Sequence, residues 1–144
     1  MRATDPTINI SLNKRLFRTE FMPFAPVTLE EYAKQSYKDW NRNDQTSYYM
    51  TSCYKASNEL RKLSPAVVHI DGTARPQIVT KSINSELYQI LKEYHKLTAI
   101  PSLINTSFNL HEEPIVRTPK EAISLLIKDG IDVLAMPPFI IYRK

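Results

Sequence analysis

The chain has 144 residues, of which 42% are hydrophobic and 24% are charged, and this is the size and composition of one globular domain. Its only cysteine, Cys53, excludes an internal disulfide and favours a reducing compartment, so a cytoplasmic location is expected. No run of about 18 apolar residues is present, so no membrane span is predicted. The net charge of +4 favours anionic partners but is not concentrated in one run.

The N-terminal part predicts one extended segment and one helix. Residues 1–13 are polar and indicate at most a weak strand or turn. Two prolines between Phe21 and Val27 favour an extended path. Thr28-Leu-Glu-Glu31 has the capping-box pattern, and the apolar residues after it repeat at helical spacing. A helix is therefore predicted over residues 29–40.

The aromatic segment from Tyr48 to Tyr54 predicts a short strand, since aromatic side chains are enriched in strands. Cys53 lies inside this segment and is therefore expected to be a small core residue and not a nucleophile. The charged residues from Lys55 to Ser64 predict a connection.

The segment from Pro65 to Val79 carries the strongest turn signal in the chain. An apolar run ends at Asp71-Gly72, and glycine accepts the positive φ angle that a tight turn requires. Pro76 cannot donate a ladder hydrogen bond, so the returning segment is predicted to be an edge strand or a bend. Either a solvated hairpin tip or a site for an anion fits this pattern. The turn would bring together the polar side chains of His69, Asp71, Thr73, Arg75 and Gln77.

The second half of the chain continues the alternation of helices and strands. Asn84 can cap a helix whose apolar residues share one face, namely Leu87, Ile90, Leu91, Tyr94 and Leu97. Residues 102–106 predict a buried strand. Small polar side chains that would face a cleft lie at its end: Asn105, Thr106, Ser107 and Asn109.

A second capping box, Thr118-Pro-Lys-Glu121, predicts a further helix with its core face at Ile123, Leu126 and Ile127. Gly130 is assigned to the left-handed position at the end of that helix. Strands are predicted over residues 131–136 and from Phe139 to Tyr142. Strands that alternate with helices predict a layered α/β domain.

No common catalytic or metal-binding motif is present in the sequence. The three histidines and Cys53 lack metal-ligand spacing. Arg18, Arg75 and Arg117 lie at predicted element boundaries, where a guanidinium can pair bidentately with phosphate. The alternative is that each arginine pairs with a nearby acid, such as Glu20, Asp71 or Glu113.

Five segments, taken together, are distinctive. They are Phe21-Met-Pro-Phe-Ala-Pro26, His69-Ile-Asp-Gly-Thr-Ala-Arg-Pro-Gln77, Asn105-Thr-Ser-Phe-Asn109, Glu113-Pro-Ile-Val116 and the ending Gly130-Ile-Asp-Val-Leu-Ala. In this order they resemble the C-terminal region of the nodulation and antibiotic-tailoring O-carbamoyltransferases. The resemblance extends from residue 5 to residue 142.

The resemblance implies a YrdC-like α/β fold over residues 1–144, with a twisted mixed sheet and flanking helices around an open cleft. It also implies that the domain binds ATP, with Mg²⁺, and carbamoyl phosphate, and that it forms carbamoyl-adenylate. A separate N-terminal domain of the actin-like ATPase type, which carries iron, is implied to transfer the carbamoyl group to a hydroxyl of an acceptor.

Related domains share a Lys-x-Arg and a Ser-x-Asn signature at the nucleotide site. Ser107-Phe108-Asn109 matches the second signature, whereas Leu16-Phe17-Arg18 keeps only the arginine of the first. By resemblance, catalytic roles are assigned to Arg75, Ser107 and Asn109. Contacts with the nucleotide or the carbamoyl group are assigned to Arg18, His69, Thr73, Asn105 and Thr106.

The family pattern also includes a Gly-Pro-Arg-Ala-Leu-Gly-type segment and a transferase domain ahead of the position of Met1. The chain is therefore expected to be a C-terminal piece of a two-domain enzyme, incomplete at its N-terminal edge and unable to carbamoylate an acceptor by itself. An incomplete sheet exposes a strand edge, so self-association is expected as well.

A second class of function stays open. Other YrdC-like domains work with tRNA, so a non-catalytic RNA- or protein-binding module is the alternative, although nucleic acid is the less favoured partner. Electrostatic binding of tRNA would fall steeply with salt, whereas binding of ATP would respond to Arg75→Ala.

Overall fold

The computed structural model describes residues 1–17 and 24–143. The chain divides into two compact units, each of which is described by itself. The first contains Met1–Asn9 and Pro23–Thr106, and the second contains Ile10–Met22 and Ser107–Lys144. Helices and strands alternate along the chain, so the predicted α/β class is confirmed.

In chain order the elements are α1 (Ile8–Arg15), β1 (Ala25–Leu29), α2 (Glu30–Ser36), β2 (Tyr37–Lys38), a 3₁₀ helix (Gln45–Tyr49), β3 (Tyr54–Ala56), α3 (Asn58–Leu63), a 3₁₀ turn (Pro65–Val67), β4 (Thr73–Ala74), β5 (Gln77–Val79), α4 (Ser85–Thr98), β6 (Ser102–Asn105), α5 (Pro119–Ile127), β7 (Val133–Met136) and β8 (Phe139–Tyr142).

The core of the first unit is a mixed sheet with the strand order β5-β1-β6. Strand β1 runs parallel to β5 and antiparallel to β6, so Thr28 lies opposite Ile78 on one side and Ser102 on the other. All five residues of β1 are buried, as a central strand requires. On one face of the sheet, Val27 and Val79 pack against Leu91 of α4.

A second, antiparallel sheet of the first unit has the order β2-β3-β4, and the Asp71-Gly72 turn leads into its strand β4. The predicted turn is confirmed, because Gly72 has a φ angle of 80° and its N–H donates to the carbonyl of His69 at 2.8 Å. Strand β4 after the turn pairs with β3 and not with the apolar run before the turn. Beyond Pro76, β5 lies at the edge of its sheet, as predicted.

The helix predicted over residues 29–40 is too long, since α2 ends at Ser36 and the chain enters β2 at Tyr37. The predicted capping box is also wrong. Thr28 does not cap α2, because its hydroxyl is engaged in the interior with Tyr37 and Ser102. The N-cap position belongs to Leu29, which makes no side-chain cap bond.

The strand predicted from Tyr48 to Tyr54 is wrong. The carboxylate of Asp44 accepts from the backbone N–H of Thr46 at 3.0 Å and caps the 3₁₀ helix that includes Tyr48. Strand β3 begins only at Tyr54, and Cys53 is exposed instead of buried. The predicted connection that follows contains α3, which Ser57 caps through the N–H of Leu60.

Helix α4 begins as predicted, since Asn84 Oδ1 accepts from the N–H of Leu87 at 3.0 Å. Its predicted apolar face is only partly used. Leu91 is fully buried in the core, whereas Ile90 and Leu97 are 59% and 85% exposed.

Residues 1–13, predicted to form a weak strand or turn, instead contain most of α1. The signal for this helix was the apolar spacing of Ile8, Leu12 and Leu16, of which Leu12 and Leu16 are buried. The second unit includes the larger part of α1 and continues from Ser107 to the C-terminus.

Helix α5 has the predicted capping box, with Thr118 at the N-cap and Pro119 in the first turn. The left-handed residue after the helix is Asp129 (φ 67°) and not Gly130 as predicted. Gly130 instead lies where the chain is closely packed, because a Cβ atom there would lie 3.0 Å from Leu125 Cδ2, which is a tight contact. The buried face of α5 consists of Ala122, Leu125 and Leu126, whereas Ile123 and Ile127 are exposed.

The second unit ends in the predicted pair of strands, β7 and β8, joined at the cis peptide bond between Pro137 and Pro138. Leu134 lies opposite Ile141 in this antiparallel pair. Leu134 packs with Ala122 and Leu126 of α5, and this contact forms the core of the unit.

Candidate functional site

The Asp71-Gly72 turn brings two predicted site residues of the first unit, His69 and Thr73, into direct contact. The Thr73 hydroxyl donates to Asp71 Oδ1 at 2.8 Å and lies 3.0 Å from His69 Nδ1. Because the hydroxyl proton is given to Asp71, the Nδ1 of His69 is the donor to Thr73. Burial lowers the pKa of His69, which favours the neutral ring. Its Nε2 is then an acceptor, and it is buried without a donor from the described residues.

Arg75 and Asn105 each contact Met50 in a second cluster of the first unit, which we call the Met50 cluster: Met50, Arg75, Gln77 and Asn105. Arg75 Nη1 donates to the Met50 carbonyl at 3.2 Å. The Asn105 amide donates to Gln77 Oε1 at 2.6 Å and lies 3.7 Å from the Met50 sulfur. Asn105 and Gln77 are brought together because β6 and β5 flank β1.

Arg75 is exposed, and it forms no ion pair with a carboxylate in residues 1–17 and 24–143. The alternative partner, Asp71, accepts from Thr73 instead. The cationic head of Arg75 therefore has the exposure that binding of an anion needs. Thr106 follows β6 directly and is half-buried.

The other predicted residues, Ser107 and Asn109, belong to the second unit. Ser107 is exposed. Both residues lie in the loop that connects β6 to α5. Asn109 holds this loop together, because its Nδ2 donates to the Glu113 carbonyl at 2.6 Å. A backbone bond of 2.9 Å from Val116 N–H to the Phe108 carbonyl closes the same loop. The Oδ1 of Asn109 is buried and receives no hydrogen bond from the described part of the chain.

The segment that leads to Arg18 lies beside this loop. The backbone N–H of His111, two residues after Asn109, donates to the Leu16 carbonyl at 3.0 Å. Arg18 itself lies outside the described residues, as do the first three residues of the motif that starts at Phe21, namely Phe21, Met22 and Pro23.

A cavity of about 260 Å³ opens between the loop and α5 in the second unit. Its apolar lining includes Val116 and Leu125, and its cationic lining consists of Arg117 and Lys128. Lys128 lies 3.3 Å from Glu113 Oε1, so the acid expected as a partner of Arg117 is bound elsewhere. Arg117 thus makes no ion pair in the described parts of the chain.

The second carboxylate of this cavity has a structural role. Glu121 Oε2 accepts from the backbone N–H groups of Arg117 and Thr118, at 2.8 and 3.1 Å. These two bonds hold the pKa of Glu121 below its ordinary value. Two residues of these sites, Met50 and Lys128, were not predicted from the sequence. Met50 has no motif around it, whereas the position of Lys128 directly after α5, one helical turn beyond Ser124, could have indicated that it faces the cavity.

In residues 1–17 and 24–143, no three or more His, Cys, Asp or Glu side chains are grouped so as to hold a metal ion. None of the helices described there combines the length and the apolar character that crossing a membrane requires.

The fold and these polar residues define a mixed α/β protein in which Arg75 and Arg117 form no ion pair with a carboxylate of the described residues. The sequence model of the family described as the carbamoyltransferase C-terminus matches residues 1–143, and the chain belongs to this family. The resemblance found in the sequence is thereby confirmed.

Several curated proteins are similar to the chain. An uncharacterized protein of Methanocaldococcus jannaschii is 38% identical over 132 residues, which are 92% of this chain and 25% of that protein. Nodulation protein U of Rhizobium tropici is 39% identical over 109 residues, which are 76% and 18% of the two chains. Nodulation protein NolO of Bradyrhizobium diazoefficiens is 32% identical over 127 residues, which are 88% and 23%. The chain thus spans between 18% and 25% of the length of these relatives.

Proposed function

We propose that this chain is the part of an O-carbamoyltransferase that binds ATP and carbamoyl phosphate and forms carbamoyl-adenylate. A separate N-terminal domain would then transfer the carbamoyl group to a hydroxyl. Membership of the family over residues 1–143 supports this function, as does the similarity to nodulation proteins several times longer than the chain.

The observation that carries the proposal is the loop of the second unit. Asn109 is held by its bond to the Glu113 carbonyl, yet its buried Oδ1 accepts no hydrogen bond from the described residues. A buried acceptor without a donor is costly, so a group that binds beside it and donates would be favoured. The exposed Ser107 adds a hydroxyl donor for phosphate oxygens, and Arg117 of the same unit, which forms no ion pair with the described residues, adds a cation.

Water would first cleave carbamoyl phosphate into carbamate and inorganic phosphate. A carbamate oxygen would then form a bond to the α-phosphorus of ATP while the bond from that phosphorus to pyrophosphate breaks, which gives carbamoyl-adenylate and free pyrophosphate. Negative charge develops on the departing pyrophosphate, and fixed cations and hydrogen-bond donors stabilise it. Removal of one such contact is expected to raise the barrier by about 2–4 kcal/mol.

Mg²⁺ would arrive with the triphosphate and neutralise part of its charge. Hard cations of this kind prefer oxygen ligands, and the phosphate oxygens would supply them, since Ser107 and Asn109 are proposed to form hydrogen bonds with the nucleotide. The described residues contain no group of three or more His, Cys, Asp or Glu side chains for a metal, so they fit an ion that the nucleotide brings better than a metal held by the protein alone.

The first unit is proposed to contribute through Arg75, whose guanidinium has no carboxylate partner in the described residues. His69 and Thr73 are proposed as contacts for the carbamoyl group, because the neutral ring of His69 has an unused acceptor. The role of Arg75 and the roles of His69 and Thr73 rest on separate contacts, so each has to be tested with its own variant.

Exchange of labelled pyrophosphate into ATP, in the presence of Mg²⁺ and carbamoyl phosphate, tests the proposal. Exchange by the chain should depend on carbamoyl phosphate and fall about 100- to 1,000-fold in Ser107→Ala and Arg75→Ala. The matched controls are Ser82→Ala and Arg42→Ala, which change an exposed serine and an arginine in a surface ion pair. Equal exchange in all four variants would contradict the proposed roles.

Transfer to an acceptor is a separate step, and we propose that the chain alone does not catalyse it. Incubation with ATP, Mg²⁺, carbamoyl phosphate and a hydroxyl acceptor should give no carbamoylated product. Product formed by the lone chain would contradict the division of labour between the two domains.

A further inference from the structure

Arg15 is the most extensively bonded arginine in the described part of the second unit. Its two terminal nitrogens donate to the two carboxylate oxygens of Asp132, each at 2.9 Å. Nη2 also lies 3.2 Å from Asp129 Oδ1, and Nε donates to the Asp129 carbonyl at 3.1 Å. A planar guanidinium suits such a bidentate arrangement, and an ammonium group does not.

The two aspartates are themselves fixed. Asp129 follows α5 in the left-handed conformation, and Arg143 pairs with both carboxylates and donates its N–H to the Asp132 carbonyl at 3.0 Å. Only 25% of the Arg15 side chain is exposed. The end of α1 is therefore attached to a network and not to one mobile surface acid, and such networks are worth more than single surface pairs.

The residue after Arg15 carries this attachment to the loop of Ser107 and Asn109. Leu16 is buried, and its carbonyl accepts the N–H of His111 at 3.0 Å. One bond thus joins the backbone next to Arg15 to the backbone two residues after Asn109. In the sequence, Arg18 follows three residues after Arg15.

We propose that Arg15 is a positioning residue, which sets the loop of Ser107 and Asn109 through the bond between Leu16 and His111. This inference rests on the proposed function in so far as the loop binds the nucleotide. Arg15 would touch neither ATP nor carbamoyl phosphate. It would fix the backbone that presents the side chains assigned to them.

A merely stabilising ion pair would behave differently from a positioning contact. Arg15→Lys keeps the charge but loses the bidentate geometry and the Nε bond, so it separates the two roles. Asp132→Asn is a milder variant, because it leaves the contacts of Arg15 with Asp129. The matched control is Arg42→Lys in the first unit, where Arg42 pairs with Glu30 at 2.7 Å.

The experiment compares the unmodified chain with these three variants by two measurements. A cooperative urea transition first confirms that each of the four proteins is folded. Backbone amide resonances of Ser107–Asn109 should shift in Arg15→Lys, shift less in Asp132→Asn and stay unchanged in Arg42→Lys. The dissociation constant of Mg·ATP should rise about tenfold in Arg15→Lys, a loss typical of outer supporting contacts, and should not change in the control.

Loop resonances that do not respond to Arg15→Lys would overturn the inference. So would a response of the same size in Arg42→Lys. If the unmodified chain binds no ATP, the proposed function fails, but the amide resonances still decide whether Arg15 positions the loop.

Discussion

The hydroxyl oxygens of Thr28 and Tyr37 lie 2.6 Å apart in the interior of the first unit. Thr28 Oγ1 also lies 2.8 Å from Ser102 Oγ, so three buried hydroxyl groups connect β1, β2 and β6. Each of these side chains is almost completely inaccessible. The connection gives the central strand a polar link on the face opposite α4.

Removal of one hydroxyl from this chain should destabilise the first unit. Tyr37→Phe loses a buried hydrogen bond, and the loss should be about 1 kcal/mol in the free energy of unfolding. Urea denaturation measures it, and Tyr49→Phe, at a side chain that is 66% exposed, is the control. Equal midpoints for the two variants would show that the buried hydroxyl chain adds nothing to stability.

The same residue predicts a loss of stability at high pH. Burial raises the pKa of Tyr37 above its ordinary value of about 10, so the folded state keeps the proton at a pH where the unfolded state releases it. Its contribution is complete below pH of about 10 and is lost as the pH rises above that value. Midpoints of urea denaturation between pH 8 and 11 should fall less steeply in Tyr37→Phe. An unchanged slope would contradict the assignment.

The N-terminus of α5 should depend on one hydroxyl. In the structure the backbone nitrogen of Glu121 lies 3.3 Å from Thr118 Oγ1, its acceptor. Thr118→Ala removes this acceptor and should lower the free energy of unfolding by about 1 kcal/mol. Thr118→Ser keeps the hydroxyl and should be close to the unmodified chain. Circular dichroism during urea denaturation measures both. A serine variant as unstable as the alanine variant would show that the cap is not the cause.

The two capping-box patterns of this sequence show where prediction from sequence ends. Thr118 caps α5 as expected, because it is exposed and free to turn towards the helix. Thr28 has the same pattern but lies in a buried central strand, where two other hydroxyls take its side chain. The spacing of residues in the sequence is the same at Thr28 and at Thr118. Only the burial of Thr28 in the central strand β1 explains why it does not cap a helix.

The candidate site was predictable to a similar degree. The turn at Gly72 and the contact of His69 with Thr73 follow from local sequence, and the structure contains both. The Met50 cluster could not be predicted, because it depends on the order of strands β5-β1-β6. The exposure of Cys53 was missed because Cys53 lies in the irregular segment between the 3₁₀ helix, which ends at Tyr49, and β3, which begins at Tyr54.

A side chain at Gly72 should strain the turn. Its φ angle of 80° costs an alanine about 1–2 kcal/mol, and a Cβ atom would lie 2.9 Å from the Cζ atom of Arg61. Gly72→Ala should therefore lower the midpoint of urea denaturation. In a chain that already carries Arg61→Ala, the same substitution should lower the midpoint less, because only the cost of the positive φ angle then remains. If the two backgrounds respond alike, the close approach of Arg61 is not part of the cost.

Isothermal calorimetry with Mg·ATP on the folded chain decides whether this chain is a nucleotide-binding domain. We expect saturable binding that weakens about tenfold or more in Asn109→Ala and in Arg75→Ala, since hydrogen bonds to charged groups contribute about 1.5–3 kcal/mol, while Arg42→Ala leaves it unchanged. A parallel titration with tRNA at two salt concentrations serves as the comparison. A chain that binds no ATP, or that binds tRNA tightly and ATP equally well in all variants, would contradict the account.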